Sequence, residues 1–255
     1  MTTDTVPKLV EKQFSLGNDT IVIGGMAKGS GMIRPDMATM LSFIACNIRI
    51  SEYLLPLLVK QVADASFNRI TVDGDTSTND AFVLACTGDS ESAVIENTSQ
   101  YEYTIVRKAL VEVAQELAQA IVRDGEGATK FVSVQISGGR TERECLKVAY
   151  SIAESPLVKT AIFAEDANWG RFCMAIGKAG VRDLDTGMIT LWLDDLVVAE
   201  GGCISAEYSE EKGAAVLAQD EFSVKVNLGR GEGKATIWTT DLSHEYIRIN
   251  AEYRS

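Results

Sequence analysis

Apolar residues recur at three- and four-residue steps through the middle of the chain, and this spacing predicts helices there. The longest stripe of this kind predicts a helix over residues 104–122. Thr141 and Glu144 form a capping box that opens a second helix to about residue 154, where Pro156 stops it. Further helices are predicted from Ser51, over residues 168–180 and around residues 209–218.

Shorter apolar or alternating runs predict strands between these helices. The predicted strands are residues 20–25, 70–72, 131–137, 160–166, 188–201, 222–229 and 235–242, and the final stretch from His244 is strand-like. The run at residues 81–88 is too short to assign to a helix or a strand. Strands and helices in this order predict an α/β or α+β fold, and the aromatic C-terminal stretch is expected to dock into it.

A glycine-rich stretch over residues 26–40 follows neither pattern. Its glycines and Pro35 exclude a regular helix, yet Met and Ala stand where a solvated loop would carry polar residues. This composition predicts irregular backbone held inside the protein. Strained backbone of that kind is typical of functional segments.

Composition and charge narrow the classes of function. The net charge of −12 disfavours nucleic acid or an anionic membrane as a partner. Because His244 is the one histidine, metal sites with two imidazoles are excluded and no metal is expected. A Ser or Cys triad would have only this one histidine available as its base. Five cysteines without a CxxC pair predict free thiols and a cytoplasmic protein. We expect neither a signal peptide nor a membrane span.

One nucleophilic mechanism needs no histidine. A threonine freed by backbone cleavage can use its own α-amino group, with an ordinary pKa of about 7.7–8.0, as the base for its hydroxyl. Thr39 follows the small residue Ala38 within the glycine-rich stretch, where strain would favour an N-to-O acyl shift. Threonines are common, however, and the spacing alone does not single out Thr39.

Longer motifs in the chain bear on this choice. Thr39 lies in KGSGMIRPDMATML at residues 28–41, and six further motifs accompany this segment: TTDTVPK (2–8), DGDTSTND (73–80), DGEGATK (124–130), DANWGR (166–171), LGRGEG (228–233) and YIRINAEYRS (246–255). Together these segments resemble the ornithine acetyltransferases, also called bifunctional glutamate N-acetyltransferases. The resemblance covers essentially the whole chain and implies the layered sheets and helices of an N-terminal-nucleophile-like fold.

The resemblance implies self-cleavage between Ala38 and Thr39. Residues 1–38 would then be the end of an α chain, and residues 39–255 a β chain with Thr39 as its nucleophile. Thr39 would accept an acetyl group from N-acetylornithine and pass it to glutamate in arginine biosynthesis. The resemblance places substrate contacts at Thr2, Lys28, Thr39, Glu126, Asn250 and Ser255.

The same resemblance implies a heterotetramer of two α and two β chains and no cofactor. The sequence leaves open whether acetyl-CoA is a further acetyl donor. By chemical type, Lys28 suits a substrate carboxylate, Glu126 suits the charged amino group of ornithine, and Asn250 with Ser255 suits the amino-acid end.

Two departures from the family pattern affect these expectations. The family has an α region before the TTDT motif, with a Thr-Gly pair that forms the oxyanion hole, and the present chain lacks this region, so we expect it to be truncated. Asn47 stands where the family usually has an aspartate. The missing region leaves an inactive fragment as one alternative. The other is an amidohydrolase or aminopeptidase that uses the same N-terminal nucleophile. DGDTSTND is interpreted as structural rather than a calcium loop, and GRGEG as a turn between strands.

Overall fold

The protein consists of two compact units. A computed structural model of the chain describes residues 3–34, 40–77, 79 and 81–252. Unit 1 comprises Met1–Ile70 and Gly74–Asp124, and unit 2 comprises Thr71–Asp73 and Gly125–Ser255.

Unit 1 is a four-stranded sheet with helices on one face. Its strands, in the order β1-β2-β3-β4, are β1 (Lys8–Leu16), β2 (Asp19–Lys28), β3 (Leu41–Cys46) and β4 (Ala81–Cys86). The β3–β4 pair is parallel and the other two pairs are antiparallel. The helices are α1 (Leu55–Ala65) and α2 (Tyr101–Arg123), and α2 packs on β1 and β2.

The core of unit 1 lies between α2 and the inner face of the sheet. Ile21 and Ile23 of β2 are fully buried beneath the apolar stripe of α2. Gly25 shares this inner face, and a Cβ atom there would come within 2.9 Å of the Leu117 Cδ1 atom. The glycine therefore allows the helix to approach the strand closely.

The described residues of unit 2 form a six-stranded mixed sheet and five α-helices. Its strands, in the order β10-β5-β9-β6-β7-β8, are β5 (Phe131–Gly139), β6 (Thr190–Leu193), β7 (Leu196–Glu200), β8 (Cys203–Ile204), β9 (Glu221–Asn227) and β10 (Gly233–Thr240). The helices are α3 (Glu142–Ala153), α4 (Pro156–Phe163), α5 (Trp169–Gly177), α6 (Glu210–Leu217) and α7 (His244–Glu252). The buried residues of α3 and α5 join the apolar face of this sheet in one core.

Most predicted elements are confirmed, and the α+β class with them. The predicted helix over 104–122 is α2, and the capping box opens α3, where the Thr141 hydroxyl accepts from the Glu144 N–H. The unassigned run at 81–88 contains strand β4. GRGEG lies between β9 and β10, as interpreted from the sequence. The helix predicted from Ser51 begins with a 3₁₀ turn before α1.

Three predictions of strands are wrong. Residues 160–166, predicted as a strand, fall largely in helix α4, which Pro156 opens in its first turn. The stretch from His244, read as strand-like, is helix α7. The predicted strand at 70–72 is reduced to a single β-bridge at Ile70, after a 3₁₀ turn at Phe67–Arg69. Short apolar runs rich in Val and Ile suit either structure, and tertiary packing decides between them.

Candidate functional site

The predicted site residues divide into three groups. Lys28 belongs to unit 1, whereas Glu126 and Asn250 belong to unit 2. Thr2, Ala38, Thr39 and Ser255 lie outside the described residues.

Lys28 is the last residue of β2 and is half-buried. Its partner in the ladder is Leu41, the first residue of β3. Residues 29–40 thus connect two adjacent antiparallel strands, and they carry the predicted cleavage site. The sheet fixes both ends of this connection beside Lys28.

A buried charge cluster supports the start of this connection. The Lys8 Nζ atom lies 2.7 Å from an oxygen of Asp4 and 2.5 Å from an oxygen of Asp124, and all three side chains are almost fully buried. Asp4 also accepts a hydrogen bond of 2.8 Å from the Gly29 N–H. The Ser30 hydroxyl donates to the Asp124 carbonyl at 2.6 Å. The cluster therefore ties the opening segment and residues 29–30 to the end of α2.

The electrostatics keep the Asp4 carboxylate ionised. Burial is the largest single influence and by itself raises the pKa of Asp4, but the hydrogen bonds from Lys8 and the Gly29 N–H oppose it. The charges of Lys8 and Lys28 act in the same direction, so the pKa of Asp4 lies below its ordinary value of 3.8. Lys28 is consequently close enough to Asp4 for a favourable electrostatic interaction.

In unit 2 the structure brings Glu126 and Asn250 together. The Asn250 Nδ2 group donates to the Glu126 carboxylate at 2.8 Å and to the Tyr246 carbonyl at 3.0 Å. These two residues are 124 positions apart in the sequence. A half-buried carboxylate and an exposed amide, adjacent to each other, could hold an ammonium group and a polar amino-acid end together.

The position of Asn250 depends on how helix α7 begins. The Ser243 hydroxyl donates to the Gly127 carbonyl at 2.6 Å and accepts from the Tyr246 N–H at 3.3 Å. Gly127 has a positive φ of 67°, and a Cβ atom there would lie 2.4 Å from the Tyr246 nitrogen. The start of α7 therefore packs directly on the segment that carries Glu126.

A buried lysine supports the chain just before α7. The Lys159 Nζ atom is hydrogen-bonded to the Thr239 hydroxyl at 3.2 Å and to the Thr240 carbonyl. Burial lowers the pKa of Lys159 from 10.5 to about 8, although Asp241, Asp73 and Glu154 act in the opposite direction.

Sequence reasoning missed the supporting residues, although its motifs contain several of them. Asp4 and Lys8 belong to TTDTVPK, and Asp124 is the first residue of DGEGATK. Asn47, the departure from the family pattern, makes two side-chain bonds to β2: its amide oxygen accepts from the Val22 N–H at 2.9 Å, and its amide nitrogen donates to the Thr20 carbonyl at 3.1 Å.

Metal sites, membrane-spanning helices and disulfides each place requirements on the described residues. No group of three or more His, Cys, Asp or Glu residues there is placed to hold a metal ion. No helix among those residues is long and apolar enough to cross a membrane. All five cysteines are described and are free thiols.

Comparisons with known proteins identify relatives of this chain. The chain is 51% identical to the arginine biosynthesis bifunctional protein ArgJ of Pseudomonas syringae pv. tomato and equally to that of Pseudomonas fluorescens. Each match covers all 255 residues of this chain and 63% of the relative, so the chain spans less than two thirds of their length.

A solved structure is similar as well. The crystal structure of arginine biosynthesis bifunctional protein argJ from Bacillus halodurans matches with a TM-score of 0.80 and 38% identity. This match covers 84% of the present chain and 100% of the solved chain. A sequence model of the ArgJ family matches residues 1–255. The chain therefore belongs to the ArgJ family.

Proposed function

We propose that this chain carries the nucleophile and substrate contacts of an enzyme that transfers an acetyl group from N-acetylornithine to glutamate in arginine biosynthesis. The family match over the whole chain is the observation that carries the proposal. The names of the relatives, which place them in arginine biosynthesis, agree with it.

The reaction uses Thr39 after cleavage of the Ala38–Thr39 bond. The free α-amino group of Thr39 takes the hydroxyl proton, and the hydroxyl oxygen attacks the acetyl carbonyl of N-acetylornithine. The amide C–N bond breaks, ornithine leaves with that proton, and an acetyl ester remains on Thr39. The amino group of glutamate then attacks the ester, which forms N-acetylglutamate and restores the hydroxyl.

The residues that the resemblance assigns to substrate recognise two amino acids in turn. Lys28 pairs with a substrate carboxylate, Glu126 holds the charged amino group of ornithine, and Asn250 orients the amino-acid end. The hydrogen bond between Glu126 and Asn250 supports their assignment to one substrate. We assign Thr2 and Ser255 to the same contacts on the resemblance alone.

The length of the solved relative's chain supports cleavage. That chain is matched completely although it covers 84% of the present one, so about 41 residues here have no counterpart in it. Cleavage before Thr39 would separate 38 residues, which is nearly the same number. We further propose that two α and two β chains assemble in the cytoplasm and that the enzyme needs no cofactor. Acetyl-CoA is the candidate for a second acetyl donor.

Mass spectrometry tests the nucleophile directly. We expect a fragment that begins at Thr39 and gains one acetyl group on mixing with N-acetylornithine alone, and ping-pong kinetics with both substrates. Thr39→Ala should abolish both the fragment and its acetyl gain, and Thr39→Ser should retain part of each. Thr76→Ala, at an exposed threonine, should change neither. An active protein whose N-terminal sequencing never shows Thr39 would contradict the mechanism.

The same assay separates the alternatives. A hydrolase releases acetate at a rate that glutamate does not change, whereas a transferase forms N-acetylglutamate in proportion to glutamate.

A chimera tests the contribution of the unmatched region. It joins this chain to the part of the Pseudomonas syringae relative that lies outside the match, in the order found in that relative. Because the resemblance puts the oxyanion donors there, we expect this chimera to be about 100–1,000-fold faster than the chain alone. Turnover by the chimera together with none by the chain alone would favour the inactive fragment.

A further inference from the structure

The outer face of the unit 1 sheet carries an unbroken row of large apolar side chains. Leu9, Met26, Phe43 and Val83 are direct neighbours across β1, β2, β3 and β4, because each is paired with the next in the register of the sheet. We call these four residues the apolar row. It crosses all four strands on the face opposite α2.

The apolar row is open to solvent. Its members expose 68%, 53%, 47% and 44% of their surface in the order of the strands. The next row contains the small residues Gly24, Ala45 and Ala85, which leave a depression of about 500 Å³ beside the large side chains. A row of large side chains beside a row of small ones allows the side chains of a second packed layer to interdigitate with them.

Exposed apolar residues are common when they occur singly, but a contiguous row across a sheet is not. Both faces of this sheet carry apolar residues. Helix α2 packs on the inner face, whereas the apolar row on the outer face is exposed. Lys28 lies on the same outer face, where its ladder partner is Leu41. Lys28 therefore lies two residues beyond Met26 on the face that carries the apolar row.

We propose that the apolar row is an interface for the part of the ArgJ relatives that this chain does not span. The relatives have about 405 residues, since 255 residues cover 63% of them, and about 150 residues therefore lie outside the match. A segment of that size is long enough to supply its own apolar layer. This interface is independent of the acetyl-transfer chemistry, because it concerns packing alone.

Thiol labelling tests whether the face becomes covered. Met26→Cys is made in a Cys203→Ser background, in the chain alone and in the chimera with the unmatched part of the Pseudomonas syringae relative. We expect the other native thiols to react slowly, because burial raises the pKa values of Cys46, Cys86, Cys145 and Cys173. Tyr101→Cys, at an exposed position of the same unit, is the matched control.

We expect Met26→Cys to react with a maleimide as fast as Tyr101→Cys in the chain alone, and at least tenfold more slowly in the chimera. Tyr101→Cys should react equally in both proteins. Equal reaction of Met26→Cys in both would overturn the proposal. Protection in the chain alone that grows with its concentration would also overturn it, because a second copy would then be the occupant.

A second measurement needs only the 255-residue chain and does not depend on folding of the chimera. The double variant Met26→Gln/Val83→Thr keeps side-chain size and β-propensity at exposed positions, so it should fold. We expect it to bind at least twofold less of an apolar fluorescent dye than the unaltered chain, whereas Tyr101→Gln binds as much. Unchanged dye binding by the double variant would show that this face is not the open apolar surface.

Discussion

Individual charged residues decide how firmly the opening segment of unit 1 is held. Lys8 supplies the positive charge between Asp4 and Asp124, and every one of these side chains is withdrawn from water. Lys12, two pleats further along the same strand, pairs instead with Glu112 at the surface. The two lysines therefore allow a buried and an exposed ion pair to be compared within one strand.

The first prediction concerns Lys8→Met. This change leaves two buried carboxylates without their cation, and we expect the free energy of unfolding to fall by about 3–5 kcal/mol. Lys12→Met, the control, should cost less than about 1 kcal/mol because its pair is exposed to solvent and salt. Urea denaturation of both variants measures the difference. Equal losses would show that Lys8 gains nothing from its buried position.

The second prediction concerns the pH dependence that Lys159 imposes. Its pKa is about 8 in the folded protein and 10.5 in the unfolded chain, so the unfolded chain binds more protons between these values. The free energy of unfolding contributed by Lys159 therefore rises as the pH increases from about 8 towards 10.5. Below pH 8 both states are protonated, and the cost of burying the charge is fully present.

Lys159→Met removes this contribution, so the variant should lack the rise in stability that the unaltered protein shows across that window. Lys147→Met, at an exposed position of α3, should keep it. Urea midpoints measured between pH 7.5 and pH 10 decide the matter. Parallel pH profiles for the unaltered protein and Lys159→Met would mean that Lys159 stays charged in the folded state.

At the scale of elements, the contact between helix α7 and the segment around Gly127 determines where Asn250 lies. We predict that Gly127→Ala destabilises the protein by about 1–3 kcal/mol more than Gly17→Ala does. Both glycines have a positive φ, 67° and 64°, but an added Cβ meets the backbone of α7 only at Gly127. Thermal unfolding of the two variants isolates the clash from the backbone strain. Equal destabilisation would mean that α7 shifts without cost.

Local sequence patterns predicted the elements that bury one face over a long stretch. Helix α2 is such a case, because its stripe repeats over many turns. Helix α4 was predicted wrongly, since its Val158, Ala161 and Ile162 are buried in eight residues that also suit a strand. The hydrogen bond between Glu126 and Asn250 could not be read from any periodicity, because it joins distant parts of the sequence. Only the resemblance suggested that both contact substrate.

At the scale of the whole molecule, the proposed cleavage and the compact units divide the chain differently. Cleavage between Ala38 and Thr39 falls inside unit 1, because that unit contains residues on both sides of the bond. Strands β1 and β2 come before the bond, and β3 and β4 come after it. The proposed α and β chains therefore share one sheet, and the division of the chain at residues 38 and 39 remains a prediction.

A shared sheet changes the molecularity of refolding. Six residue pairs join β2 to β3, from Ile23–Cys46 to Lys28–Leu41, and after cleavage they connect two polypeptides. Refolding from denaturant then becomes a second-order reaction whose yield depends on protein concentration. We predict that cleaved protein regains less structure on tenfold dilution, whereas uncleaved Thr39→Ala refolds equally well at both concentrations. Self-cleavage would thus make folding a step that each molecule completes efficiently only once, before the bond is broken.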